Sequence, residues 1–302
     1  MKFKYFGEID RLYLSNETTI IHKKLNLKKF KNDKRNLMGN ERKFQSYIVE
    51  KVFYDFKFEI PNCKFPSVVY LEKFKTDEEN LYLTDLKPEF CFTYGHRNEI
   101  SSEMEDIYLV LKWLASFHAF FWESKVPNLH QQGGYWYLDT RWVELERMKN
   151  CELKSKAKLI DRLLKGELHN GKFRTIIHGD AKSENILFSS TECALYDFQY
   201  TGEGFGEKDI VYFFISSLDE TILQKYEMDY LKYYYNELIK NLKSNNKSTD
   251  FSFENCMMQY KICLLDYYRF LLGWGCWGNS NFAEVRSEQI LTELGNYFAN
   301  LS

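Results

Sequence analysis

Residues 173–197 read FRTIIHGDAKSENILFSSTECALYD, and the rest of the chain is best read outward from them. Residues 173–177 form a short apolar run expected as a strand, followed by a polar loop, HGDAKSEN, at 178–185. Residues 186–188 read as a second strand, 189–192 as a turn, and 194–196 as a third strand ending on Asp197. The loop offers a carboxylate, Asp180, and five residues later an amide, Asn185; a second carboxylate, Asp197, comes twelve residues after that. The turn between the strands brings these three side chains into one patch. Transfer of a phosphoryl group needs little covalent help from a protein: a carboxylate to orient the attacking hydroxyl, and hard oxygen ligands for magnesium. Asp180, Asn185 and Asp197 are that set.

Upstream, the first 86 residues look β-rich, with alternating or β-branched runs at 9–14, 18–25, 68–74 and 81–86. The last two flank a polar turn at 75–80 and read as a hairpin. Residues 40–53, NERKFQSYIVEKVF, carry Phe44, Tyr47, Ile48 and Val52 at helical spacing and read as a single helix. From residue 87 onward helices dominate, expected at 102–122, 142–168, 209–243 and 253–272, with a polar loop at 244–249. Ser101 or Ser102 suits the cap of the first of these, and Glu103 and Glu105 suit its opening turn.

The bulk properties narrow the partners. A formal net charge of −2 and a pI near 6.4 call for neither nucleic acid nor an anionic membrane. One local exception is 23–35, with six Lys and one Arg against a single Asp, either a solvated loop or a source of phosphate attraction. The 7 cysteines form no CxxC pair and no Cys/His cluster, as expected of reduced thiols in a cytoplasmic protein. The most apolar stretch, 107–122, is interrupted by Lys112, Ser116 and His118 and fits a buried helix better than a membrane span. His118 itself is expected as a satisfied core histidine. Protein partners are not implied.

The loop reads HGDAKSEN where protein kinases have HRD, four residues and Asn, and the second motif at 197–199 reads DFQ rather than DFG. With IIHGDAKSENILF (176–188), ALYDFQYTGEGFGEKDIVYFF (194–214) and LASFHAFFW (114–122), the chain resembles the aminoglycoside phosphotransferase and choline kinase superfamily, most nearly its ecdysteroid-kinase-like branch, over most of 20–300. The resemblance implies an α+β, two-lobed protein-kinase-like fold: a small β-rich N-lobe with one helix (1–86) and a larger, mainly helical C-lobe (87–302). It implies ATP and Mg²⁺, with Asp180 as catalytic base and Asn185 and Asp197 as magnesium ligands. Lys182 is placed to reach the transferring phosphate or to face solvent. His178 is a structural loop residue, and Asp209 caps the next helix and braces the loop.

The same resemblance calls for a strand lysine and a helix glutamate in the N-lobe. In IIHKKL (20–25), Lys23 shares a strand face with Ile21 and Leu25, Lys24 with Ile20 and His22; the apolar neighbours favour Lys23. Glu41 is the matching glutamate, with Glu50 as the alternative. Backbone groups of Leu83, Thr84, Asp85 and Leu86 are expected to hold adenine. The sequence departs from the pattern before the lysine strand, where Gly7 stands alone instead of a glycine-rich loop. That departure keeps a pseudokinase, a binding module on the same fold, as the alternative.

Only eleven residues separate Asp197 from Asp209, too few for a peptide platform, so the expected acceptor is a hydroxyl of a small molecule. LLDYYRFLLGWGCWG at 264–278 gathers Asp266, Tyr267, Tyr268, Trp274 and Trp277, which suit an amine by cation–π attraction, or pack as core with Asp266 paired to Arg269.

Overall fold

The computed structural model describes residues 7–15, 18–26, 37–71, 78–95 and 103–301. Strands β1 (Gly7–Tyr13), β2 (Thr19–Asn26), β3 (Val68–Leu71) and β4 (Glu78–Thr84) form an antiparallel sheet in the order β1-β2-β4-β3. The β2–β4 register sets Ile21 opposite Leu83 and Lys23 opposite Leu81. Period-two alternation then puts Ile21, Lys23, Leu25, Leu81 and Leu83 on one face. Helix α1 (Leu37–Asp55) covers that face with Val49 and Phe53, both buried. The polar stretch 78–80, expected in a turn, belongs to β4; Glu79 is buried in line with Leu81, and Lys51 of α1 lies 3.6 Å from its carboxylate. The rest of that turn, the strand end at 72–74 and the proposed caps Ser101 and Ser102 lie outside the described residues.

Helices fill the remainder, so the α+β class expected from the sequence is the observed one. Helix α2 (Glu103–Phe120) is the buried apolar helix. The expected helix over 142–168 breaks into α3 (Trp142–Arg147) and α4 (Glu152–Arg162), because Met148 and Cys151 adopt extended backbone and Lys154 donates to the Met148 carbonyl at the end of α3. Past α4 the chain winds through a π turn, and Gly166 at φ 141 ends it. The expected helix over 209–243 also divides, into α5 (Glu207–Ser217) and α6 (Glu220–Ser244). Leu218 turns into the core between them, and the Asp219 carboxylate caps α6 by accepting from the Thr221 N–H at 2.8 Å. Helices α7 (Phe253–Trp274), α8 (Ser280–Glu293) and α9 (Gly295–Ala299) complete the chain. Among the described residues no helix is long and apolar enough to cross a membrane.

Four short strands are set among these helices: β5 (Thr175–Ile177) pairs with β8 (Gly202–Gly204), and β6 (Ile186–Phe188) with β7 (Cys193–Leu195). An aromatic stack joins them to α1. Phe198 lies flat on Phe53, with centroids 4.0 Å apart and planes at 10°. Tyr54 and Phe65 meet Phe198 edge-on at 5.7 and 5.6 Å, and the His178 ring lies 4.7 Å away. Each such pair contributes about 0.5–1.5 kcal/mol beyond the area it buries.

One buried carboxyl makes the stability of this core pH-dependent. Glu207 opens α5 fully buried; burial pushes its pKa from 4.5 up to about 7, against its own backbone N–H and the Cys256 thiol. The folded state therefore holds this proton more tightly than the unfolded chain. The associated stability is complete below pH 4.5 and is lost as the pH rises through 7. Relative to wild type, Glu207→Gln is expected to gain roughly 3 kcal/mol between pH 5 and pH 8 in urea unfolding; a difference constant across that range would refute this assignment.

Candidate functional site

Strand β5 delivers the chain into HGD, and a carboxylate from α5 holds the turn. Asp209 accepts the N–H of His178 at 2.7 Å on one oxygen and the N–H of Gly179 at 2.8 Å on the other. The sequence led us to expect Asp209 as the cap of α5, but the cap is Gly206; the carboxylate is turned back onto the loop, which it braces as expected. His118 stands behind it, Nε2 at 3.1 Å from Asp209 and Nδ1 at 2.9 Å from the Tyr234 hydroxyl. Gly179 has φ 81, and a Cβ there would overlap the Tyr200 carbonyl oxygen, so the second residue of the motif has no room for a side chain.

Asp180 is 5% exposed. The Asn185 amide donates both to its main-chain oxygen at 2.9 Å and to its Oδ2 at 2.8 Å, which leaves Oδ1 as the amide atom available to a cation. Lys182 Nζ lies 3.7 Å from Asp180 Oδ2, so it points at the carboxylate rather than away into solvent. Burial pushes the Asp180 carboxyl up to about 7, with Lys182 pulling the other way.

Asp197 follows β7 in a left-handed conformation, φ 71 and ψ 63. Its Oδ1 is 3.2 Å from Lys23 Nζ, and the same ammonium is 2.5 Å from Glu50. Burial raises Asp197, but Lys23 and Lys43 outweigh it and hold the carboxylate below its ordinary range. Burial likewise would lower Lys23, yet Asp197 and Glu50 keep it raised. Lys23 is thus the lysine of β2 that meets the DFQ aspartate, while Lys24 lies on the other strand face.

Glu41 is not the partner of Lys23. It is exposed, and Glu50 occupies the position expected for it. The two glutamates are nine residues apart, two and a half helical turns, so they face opposite sides of α1. Leu83 is buried opposite Ile21, and Thr84 exchanges hydrogen bonds with Ser67, its N–H and Oγ1 each at 2.9 Å. Asp85 accepts from Arg11 at 2.6 Å and the Thr19 hydroxyl at 2.8 Å, and the Leu86 carbonyl accepts the N–H groups of Glu89 and Phe90. The carboxylate of Asp85 therefore serves the sheet edge and is not turned into the cleft.

A cleft of about 100 Å³, open to solvent, is lined by Ile9, Lys23, Lys43, Glu50, Asp197 and Gln199. Most of the C-terminal aromatic segment packs as core: Asp266 and Arg269 are buried and joined at 2.7 Å, Arg269 also donates to the Trp136 carbonyl, and Tyr267 and Tyr268 are buried, whereas Trp274 is exposed. Closer to Asp180 stand Tyr135, Tyr200 and Tyr212, whose phenols burial raises, with the Asp180 charge adding to the shift. Arg141 lies over the Trp274 ring at 4.7 Å beside them. Single tyrosines scattered over 135–212 leave no periodic signal in the sequence. Lys43 could have been found, because it is seven residues from Glu50 and so shares its helix face.

Among the described residues no cluster of three or more His, Cys, Asp or Glu could hold a metal alone. Asp197 and the Asn185 Oδ1 are two hard oxygen donors, which suits magnesium, an ion that completes its shell with phosphate and water.

Residues 135–247 match the ecdysteroid kinase-like family. That span contains His178, Asp180, Asn185, Asp197 and Asp209, but neither β2 nor α1. No curated protein sequence matches the chain. Among solved structures, a candidate fructosamine-3-kinase from Thermobifida fusca is similar at 14% identity and a TM-score of 0.53, covering 97% of this chain and 92% of that one. A choline kinase from Cryptosporidium parvum is similar at 13% identity and a TM-score of 0.50, over 98% and 91% of the two chains. The amicoumacin kinase hAmiN, in complex with AMP-PNP and Ca²⁺, has 11% identity and a TM-score of 0.50, over 95% and 87%. At these identities the likeness is one of fold.

The glutamate assignment is checked by unfolding. Glu50→Ala leaves Lys23 without its nearest counter-charge in a buried site and is expected to cost about 3 kcal/mol. Glu41→Ala is expected to stay within about 0.5 kcal/mol of wild type. Equal losses would undo the pairing.

Proposed function

We propose that this protein is an ATP- and magnesium-dependent kinase that transfers the γ-phosphoryl group to a hydroxyl of a small molecule. The observation carrying the proposal is the Lys23–Glu50 pair meeting Asp197 in the cleft, with Asp180, held by Asn185, near enough for the Asp197 charge to act on it. The family match over 135–247 supports it, as does the AMP-PNP bound by the structurally similar amicoumacin kinase. Domain limits of 1–86 and 87–302 would put the cleft between an N-lobe carrying Lys23 and a C-lobe carrying the loop.

Bound ATP would supply the electrophilic phosphorus and its leaving group. Asp197 and the Asn185 Oδ1 would hold magnesium, and Lys23, kept charged by its two carboxylates, would face the phosphates. Adenine would lie against backbone of 83–86. Asp180 would orient the acceptor hydroxyl and take its proton; a carboxyl near neutrality suits that exchange. The Asn185 amide fixes the carboxylate's direction.

The residues after DFQ support a small acceptor. They pass through β8 straight into α5 and hold no platform for a peptide. Tyr135, Tyr200, Tyr212 and the Arg141–Trp274 pair stand on the acceptor side of Asp180. The free cysteines agree with a cytoplasmic setting.

Titration with ATP and Mg²⁺ is expected to raise the melting temperature of wild type by several degrees, since ligand at about 100 times Kd stabilises by about 2.7 kcal/mol. Asp197→Asn is expected to abolish the magnesium-dependent part. ADP release on a screen of hydroxyl metabolites then identifies the acceptor. No shift with ATP and Mg²⁺ at millimolar concentration would overturn the proposal in favour of a pseudokinase.

A further inference from the structure

Helix α1 brings a second ammonium to the cleft. Lys43 lies seven residues before Glu50, on the same helix face, and its Nζ is 2.6 Å from the Gln199 side-chain oxygen. It also sits over the rings of Tyr47 at 4.9 Å and Tyr200 at 5.9 Å. Among the described residues no carboxylate comes within ion-pair distance of it. The charges of Asp197, Glu50 and Asp180 nevertheless act on it, while burial lowers its pKa and Lys23 adds to the lowering.

Each of those carboxylates already has a nearer partner. Glu50 and Asp197 share Lys23, and Asp180 has Asn185 and Lys182. An ammonium has three donors, and the neutral amide of Gln199 takes one. A half-buried cation with donors to spare can give them to an anionic oxygen entering the cleft. Its position is informative as well. Lys43 lines the cleft together with Asp197, the candidate metal carboxylate, and stands over Tyr200, whose phenol feels Asp180. Lys23 meets Asp197 together with Glu50, beneath the sheet. The two lysines therefore line one cleft with Asp197, and the charge of Asp180 acts on Lys43 as well.

We infer that Lys43 binds the γ-phosphate of the nucleotide and stays with that group as it moves toward the acceptor. This rests on the kinase reading above and adds to it a phosphate ligand contributed by α1. Such a ligand meets a need specific to this chain. Gly7 is the sole glycine among residues 1–19, so a backbone cradle of glycines does not precede β2, and a side-chain cation can take over part of its task. Gln199, standing where DFG has glycine, holds the lysine in place when no phosphate is bound.

The test compares affinities for Mg·AMP-PNP and Mg·ADP, measured by calorimetry on the full chain. A hydrogen bond to a charged group is worth about 1.5–3 kcal/mol, so Lys43→Gln is expected to weaken AMP-PNP binding by about 10- to 100-fold. Binding of Mg·ADP, which lacks the γ-phosphate, should stay within about twofold. Lys43→Arg should recover most of the AMP-PNP affinity. If Lys43→Gln folds poorly, Lys43→Met fills the same space and carries the same expectation. Equal weakening of both nucleotides, or the same pattern on Gln199→Leu, would reduce Lys43 to a tie between α1 and the DFQ segment and overturn the inference. No loss with either nucleotide would overturn it too. Failure of wild type to bind both nucleotides would instead bring down the kinase reading itself.

Discussion

A buried ammonium shared by two carboxylates holds the two parts of this molecule in register. Lys23 comes from a strand of the small sheet, Glu50 from the helix over that sheet, and Asp197 from the end of a strand in the helical part. Withdrawn from water, each charge would be costly alone, and any displacement of one element leaves one of them uncompensated. The pair at 2.5 Å and the contact at 3.2 Å thus act as a position gauge for the whole cleft. The flat stack of Phe53 on Phe198 lies alongside and supplies the apolar area that the charges cannot. Both run between α1 and the DFQ segment, so helix, sheet and metal motif move together or not at all.

A second buried network does for the loop what Lys23 does for the cleft. Tyr234 and His118 orient Asp209, and Asp209 spends both oxygens on backbone N–H groups of His178 and Gly179. Asp180 is thereby presented by a backbone that is pinned two residues upstream. Residues from α2, α5 and α6 converge on this point, which explains why a loop without regular structure can still be rigid. The histidine belongs to the core, as the sequence suggested, yet it carries the geometry of the site.

The candidate catalytic segment was legible because its information is local. Short apolar runs, a polar loop and a turn fall in one stretch of 25 residues, and the strands appear where the pattern puts them. Period two on β2 separated Lys23 from Lys24 for the same reason. Long-range choices were harder. Glu41 and Glu50 are both acidic residues of one helix, and only the direction from which β2 approaches decides between them. The two long helices expected over 142–168 and 209–243 read as continuous because apolar periodicity carries across a break of two to four residues. The breaks at Met148 and Leu218 come from tertiary packing and capping that a window average does not see. The aromatic C-terminal segment left two readings open for a similar reason: core packing and a binding face share the same helical period, and the buried Asp266–Arg269 pair follows the core reading.

The glycine of HGD has a consequence for how such loops can change. The space that a side chain at 179 would need is filled by the carbonyl of Tyr200, on the segment that follows DFQ. An arginine in its place, as in loops reading HRD, cannot be accommodated until that later segment has moved aside. The two stretches are some twenty residues apart in the chain, yet this contact couples them. Any side chain at 179 therefore requires the Tyr200 carbonyl to shift first, so the loop and the segment after DFQ can change shape only together.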